Sequence, residues 1–265
     1  MSRIIIFFLA ALSALAANAF RVDTLAIATA YLPGDEAVTV VVPEAASSKP
    51  CPTVYILNGY SGNHLDYITR VKGLGDMADR LGMVLVMPDG RNSWYWDTDS
   101  MKMESFITKD LVKYIDTHYS TIPDRANRAI MGLSMGGHGA LRLATLHPDI
   151  WGSAGSMSGG VDITKFPKSW GMAKLLGTSY EANPAKWRPH TVASLVPEMK
   201  KAGVNYTFDC GCEDFFAEVN AALHEAMLEA GVPHDYSSRP GKHSWAYWSN
   251  SLPYILHYFD TKFTR

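Results

Sequence analysis

The chain has 265 residues, of which 47% are hydrophobic, and a formal net charge of −2 at pH 7. That length can bury one sizeable core, enough for one α/β domain or two small ones. The near-neutral balance argues against nucleic acid or an anionic membrane as partner, and no like-charge block, low-complexity tract or internal repeat changes that.

The first residues differ from the rest. Met1-Ser2-Arg3 carries a positive charge, residues 4–17 are almost unbroken apolar, and Ala17-Asn18-Ala19 has the small-x-small form of a cleavage site. The pattern predicts a secretory signal peptide over residues 1–19, cut after Ala19. The apolar run is short for a full membrane span of about 20 residues. The expected mature chain is secreted or periplasmic, with no stable membrane insertion, and forms a single domain over residues 20–265.

Short apolar runs predict strands at 25–28, 38–42, 53–57, 83–87, 128–133, 153–157 and 206–208. Several end in turn residues, such as Asn58-Gly59, Pro88-Asp89-Gly90 and Ser158-Gly159-Gly160. Continuous runs of this length suit strands buried on both faces of a parallel sheet. Helical spacing appears at Ile107, Leu111, Tyr114, Ile115 and His118, and again from Val219 to Ala230, where Gly231 should stop the helix. This alternation predicts one doubly wound α/β domain, with its site at the carboxyl ends of the strands. Residues 161–203 exceed a plain crossover and predict a helical excursion over that edge.

Gly132-Leu133-Ser134-Met135-Gly136 lies between the run at 128–131 and a helix-like run from Gly139. Strand, G-x-S-x-G, helix is the context of a nucleophile elbow. A serine on so sharp a turn needs neighbours without side chains, and the first helical amides then face a developing oxyanion. A serine hydroxyl also needs a base, and the base an orienting carboxylate. The order Ser, acid, His places the partners downstream. His243, in the loop Gly241-Lys242-His243-Ser244-Trp245 near the chain end, is the predicted base. His138 is four residues from Ser134, but the helix axis carries it away, so packing or support near the pocket is expected. Asp209, Glu213 and Asp214 all have plausible spacing for the acid, with Asp214 modestly ahead.

These residues resemble the esterase D family of α/β-hydrolases, which includes S-formylglutathione hydrolases, tributyrin, feruloyl and acetyl-xylan esterases, and mycolyltransferases. The likeness rests on Asn58-Gly59-Tyr60-Ser61-Gly62-Asn63, Asn92-Ser93-Trp94-Tyr95, the Ser134 motif, Cys212-Glu213-Asp214-Phe215 and the His243 loop, across residues 53–248. The resemblance implies an α/β-hydrolase fold, with a mostly parallel central sheet flanked by helices. It implies Asp214 as the acid and the backbone N–H groups of Tyr60 and Met135 as the oxyanion hole. Many relatives carry His-Gly where this chain has Asn58-Gly59, which should alter the support of the hole but not its chemistry.

The expected activity is that of a serine carboxylic-ester hydrolase acting through an acyl-enzyme on short-chain acyl or hydroxycinnamoyl esters, small or polysaccharide-linked. An acyltransferase of mycolyltransferase type and an S-formylglutathione hydrolase-like thioesterase are the alternatives. A non-catalytic binding protein is disfavoured by the intact serine, acid and histidine set. Trp94, Tyr95 and Trp96 could stack on substrate from one side, and Trp170 and Trp187 from the other. No cofactor or metal is expected, since Cys210-x-Cys212 lacks further ligands at metal spacing. The odd cysteine count (Cys51, Cys210 and Cys212) leaves at least one thiol unpaired. Their redox state and homo-oligomer formation stay open.

Overall fold

The computed structural model describes residues 20–265, so the signal peptide expected at 1–19 lies outside the described residues. Eight strands form one sheet: β1 (Phe20–Ile27), β2 (Glu36–Pro43), β3 (Thr53–Leu57), β4 (Val84–Pro88), β5 (Arg128–Leu133), β6 (Ser153–Met157), β7 (Asn205–Gly211) and β8 (His234–Arg239). Their spatial order is β1-β2-β4-β3-β5-β6-β7-β8. The β1–β2 and β2–β4 pairs are antiparallel, and every pair from β4 to β8 is parallel.

The central strands are buried on both faces, as continuous apolar runs require. Val54 and Ile56 of β3 enter one core with Met131 and the aromatic residues of the C-terminal helix. Tyr55 and Leu57 enter the other with Ile130, Trp94 and Trp96. The period-two alternation of strand side chains divides them in this way.

Two elements depart from the sequence reading. β8 was not expected, because His234-Asp235-Tyr236-Ser237-Ser238-Arg239 contains no apolar run. It is an edge strand, paired only with β7 and partly open to solvent, so it needs no apolar pattern. The C-terminal aromatic segment is a helix, Trp245–Asp260, despite Pro253 within it. The Ser244 hydroxyl accepts the Tyr247 N–H and caps it. Tyr247, Trp248, Leu252, Ile255 and Phe259 form the buried face that lies on β6 and β7.

Gly231 adopts a left-handed conformation (φ 65°) and ends the helix Ala217–Ala230. Short helices Met172–Leu175, Pro184–Trp187 and Val196–Ala202 occupy the excursion between β6 and β7. Among the described residues no helix is long and apolar enough to cross a membrane.

Candidate active site

β5 delivers the chain to Ser134, whose backbone stands at φ 54°, ψ −118° before the helix Met135–Leu146 begins. Such a conformation costs a non-glycine residue on the order of 1–3 kcal/mol and persists only where the surroundings enforce it. The enforcement is visible. Ser134 N–H donates to Met157 O at 2.9 Å, and Ser134 O accepts from the N–H groups of His138 and Gly160 at 3.0 and 3.2 Å. A Cβ on Gly136 would overlap Leu57 O and Asn58 O of the chain leaving β3. Glycine there lets the helix start rest directly on neighbouring backbone.

Ser134 Oγ lies 3.0 Å from His243 Nε2. His243 Nδ1 lies 2.8 Å and 3.1 Å from the two carboxylate oxygens of Asp214. Asp214 is buried, and its Oδ1 also accepts the Phe216 N–H at 2.8 Å. Asp214 follows β7 and His243 follows β8, and backbone bonds tie their loops together. Cys212 N–H donates to Arg239 O at 2.9 Å, and Glu213 N–H donates to Gly241 O at 3.0 Å. A Cβ on Gly211 would overlap Gly241 O, so this approach also needs glycine.

The other acid candidates are engaged elsewhere. Asp209 forms an ion pair with Arg239 at 2.6 Å and also accepts from Ser251. Glu213 is exposed beside Lys242 at 3.8 Å.

Met135 is the first residue of its helix, and Tyr60 follows β3 in a loop, so neither amide has a structural partner within an element. Neither N–H donates to a protein acceptor among the described residues. The Tyr60 segment is pinned on both sides. Buried Asn58 accepts the Gly90 N–H at 2.7 Å and donates from Nδ2 to Gly59 O at 3.0 Å. Asn92 Oδ1 accepts the Ser61 N–H at 2.7 Å.

His138 is fully buried. Its Nδ1–H donates to Gly160 O at 2.9 Å, and its Nε2 accepts the Trp96 indole N–H at 3.1 Å. Burial pushes its pKa down to about 3, against the opposing Gly160 bond.

Four of the aromatic residues expected against substrate are packing residues instead. Trp94, Tyr95 and Trp96 are buried beneath the site. Trp94 and Trp96 stack at 5.7 Å, and the Tyr95 hydroxyl donates to Asn58 O at 2.9 Å. A loop this rich in large rings fills the space between sheet and excursion because that burial is strongly favourable. Trp187 is likewise buried; its indole donates to Thr178 O at 3.0 Å.

Trp170 does reach the site. It lines a cavity of about 510 Å³ with Ser134, His243, Tyr60, Phe215 and Trp245. Phe215 stacks on Trp170 at 5.9 Å and lies 4.3 Å from the His243 ring. The sequence reading missed Phe215 and Trp245 as wall residues, although each is one or two positions from an acid or base candidate.

Among the described residues, no group of three or more His, Cys, Asp or Glu is placed to hold a metal. All three cysteines are free thiols; Cys51 and Cys210 are buried and Cys212 is exposed.

Known proteins resemble the chain in sequence and in fold. The chain is 25% identical over 234 residues to an acetyl esterase of Caldicellulosiruptor saccharolyticus, covering 80% of this chain and 84% of that protein. A ferulic acid esterase structure superposes with TM-score 0.81 at 28% identity, covering 93% of this chain and all of the other (100%). An S-formylglutathione hydrolase from Agrobacterium tumefaciens superposes with TM-score 0.80 at 25% identity, covering 93% of this chain and 96% of the other. The Esterase family model matches residues 29–259. The mostly parallel eight-stranded sheet flanked by helices is an α/β-hydrolase fold, and the chain belongs to the Esterase family.

Proposed function

We propose that the chain is an exported serine carboxylic-ester hydrolase working through an acyl-enzyme. Ser134 attacks the ester carbonyl carbon while His243 Nε2 takes the hydroxyl proton. Asp214 accepts the His243 Nδ1–H, holds that tautomer and stabilises the imidazolium. The tetrahedral oxyanion accepts from the Tyr60 and Met135 amides, each typically worth about 3 kcal/mol. His243 returns the proton to the departing alcohol. Water then gives a proton to His243 and attacks the acyl carbon, and Ser134 leaves reprotonated with the free acid. The scheme uses only protein groups and water.

The observation that carries this reading is the hydrogen-bonded line from Asp214 through His243 to Ser134, at 2.8 and 3.0 Å. Export rests on the basic start, the apolar run and Ala17-Asn18-Ala19. The substrate class we favour is a short-chain acyl or hydroxycinnamoyl ester, including esters of carbohydrates. The Trp170, Phe215 and Trp245 walls suit a compact or flat acyl group, and relatives named acetyl esterase and ferulic acid esterase agree with it.

A panel of acetyl, butyryl and feruloyl esters on simple and sugar alcohols tests the reading. The expected result is turnover that Ser134→Ala abolishes. If the purified chain leaves p-nitrophenyl acetate and butyrate at the buffer rate, a binding role replaces the enzymatic one.

A further inference from the structure

The peptide between Gly59 and Tyr60 is held at one end only. A trans peptide is planar, with C=O and N–H pointing opposite ways, so whatever fixes Gly59 O also aims the Tyr60 N–H. Gly59 O accepts from Gly62 N–H at 3.0 Å, which closes a turn, and from Asn58 Nδ2 at 3.0 Å. The peptide packs against the nucleophile. A Cβ on Gly59 would lie 2.6 Å from Leu133 Cδ1 and 3.5 Å from Ser134 Cβ.

The same glycine makes the peptide easy to turn over. A peptide flip rotates ψ of the residue before it and φ of the residue after it, and a residue without Cβ offers little steric resistance to the first rotation. A flip would exchange the directions of the Tyr60 N–H and Gly59 O. Ser61 weakens the turn further, since it stands at φ 62°, where turns favour glycine.

Two asparagines oppose the flip. Asn58 is 1% exposed and both ends of its amide are engaged. Nδ2 donates to Gly59 O at 3.0 Å, and Oδ1 accepts the Gly90 N–H at 2.7 Å. A backbone N–H only donates and a carbonyl only accepts, so these two partners fix which way the amide faces. Asn92 Oδ1 accepts the Ser61 N–H at 2.7 Å and holds the far side of the turn. Both supports come from, or lead to, the loop after β4, and that loop is itself braced. Asp89 N–H donates to Ala37 O at 2.9 Å, Arg91 pairs with buried Glu36 at 2.6 Å, and Ser93 Oγ donates to Gly90 O at 2.7 Å.

We propose that Asn58 and Asn92 are positioning residues that lock the Gly59–Tyr60 peptide with its N–H facing the oxyanion, Asn58 by donating to Gly59 O and Asn92 by holding Ser61. The inference rests on the esterase reading of Ser134. It gives the Asn58-Gly59 pair, which stands where many relatives carry His-Gly, a task in turnover.

Asn58→Asp keeps the size and the acceptor but, ionised at pH 9, cannot donate to Gly59 O. It is expected to lower kcat on p-nitrophenyl acetate about 10²-fold with KM nearly unchanged, the scale of one lost oxyanion donor. Asn92→Ala, at an exposed position, should lower kcat about tenfold. Sites are counted by end-point release from a p-nitrophenyl phosphonate, in which Ser134 Oγ displaces p-nitrophenolate from phosphorus and His243 takes the hydroxyl proton. A trifluoromethyl ketone, which adds to a serine hydroxyl as a tetrahedral oxyanion, should bind each variant more weakly by the factor that kcat/KM loses. A purely structural role would lower Tm and the number of sites while kcat per site and ketone affinity stay parental, and that result overturns the proposal. If Asn58→Asp does not fold, Asn92→Ala decides, with parental kcat and ketone affinity again overturning the lock. A parent chain that turns over neither ester nor phosphonate removes the esterase reading and the lock with it. An active parent with unaffected variants removes the lock alone.

Discussion

Trp96 donates its indole N–H to Nε2 of His138 at 3.1 Å, so the histidine nearest Ser134 in sequence has no free lone pair for a proton. Its other nitrogen donates to Gly160 O at 2.9 Å. Burial, the largest cause, lowers the pKa from 6.5 to about 3. The fold therefore holds the neutral ring while the unfolded chain protonates. This contribution to stability is complete above pH 6.5 and is lost as pH falls toward 3. We predict that His138→Ala is less stable than the parent at pH 8, by roughly 2–4 kcal/mol for the lost bonds and cavity. Its stability should decline less steeply between pH 6.5 and 4, and its folded fraction should still hydrolyse esters. Urea midpoints across pH, read beside activity, check all three. A folded but dead His138→Ala would overturn the role.

His243 and Asp214 should behave in the opposite way. Ser134→Ala and His243→Ala are predicted to lower kcat at least 10⁴-fold, and Asp214→Asn about 10³–10⁴-fold, with little change in Tm. Asp209→Asn, which breaks the Arg239 ion pair, should change Tm more than kcat. Steady-state kinetics with thermal melts separates the two carboxylates. Near-parental turnover in Asp214→Asn would remove it from the relay.

Gly136→Ala adds one methyl where Leu57 O and Asn58 O already lie. Overpacking against backbone cannot relax by a rotamer change, so a loss of about 3 kcal/mol is expected. The displaced helix start carries the Met135 amide, so kcat of the folded fraction should fall with KM nearly constant. Denaturant titration and kinetics on the soluble fraction read both effects. Parental values for both would show that the elbow tolerates a side chain there.

Glu36 is a buried carboxylate whose pKa rises to about 7. Desolvation is the largest cause; the Arg91 guanidinium, 2.6 Å away, opposes it, and Asp89 adds to it. The folded state holds this proton more tightly than the unfolded chain, whose carboxyl titrates near 4.5. Stability from this group is greatest below pH 4.5, falls as pH rises to 7, and stays lowered above it. Glu36→Gln should therefore gain on the parent between pH 4.5 and 7, by on the order of 3 kcal/mol. Chemical denaturation at pH 4.5, 6 and 8 measures the gap. A gap that shrinks with rising pH contradicts the assignment.

The sequence carried the central sheet well, because β3, β4 and β5 are buried on both faces and must be apolar throughout. It singled out Ser134 and His243 from local patterns, an elbow and a late glycine loop, and the structure brings the two side chains to 3.0 Å. β8 was hidden because an edge strand can be polar. The helix Trp245–Asp260 was hidden by Pro253 and by an aromatic run with no obvious polar face. The choice among Asp209, Glu213 and Asp214 needed either a family pattern or the loop-to-loop geometry, as spacing alone does not distinguish neighbours. The misplacement of Trp94, Tyr95 and Trp96 has a similar cause. A loop at a strand's carboxyl end can border a cavity or underlie it, and composition is the same in both cases.

The bonds from Cys212 N–H to Arg239 O and from Glu213 N–H to Gly241 O make the Asp214 and His243 loops one mechanical unit. One end of that unit, the His243 side, hangs from β8, the partly exposed strand held on one side only. Margins open before centres, since sub-global openings draw on the least buried segments. Heating should thus unfasten the edge and separate His243 from Ser134 while β3 to β6 stay intact. Thermal inactivation is then a peeling event, and a cross-link from β8 to β7 would prolong activity without raising the melting point of the core.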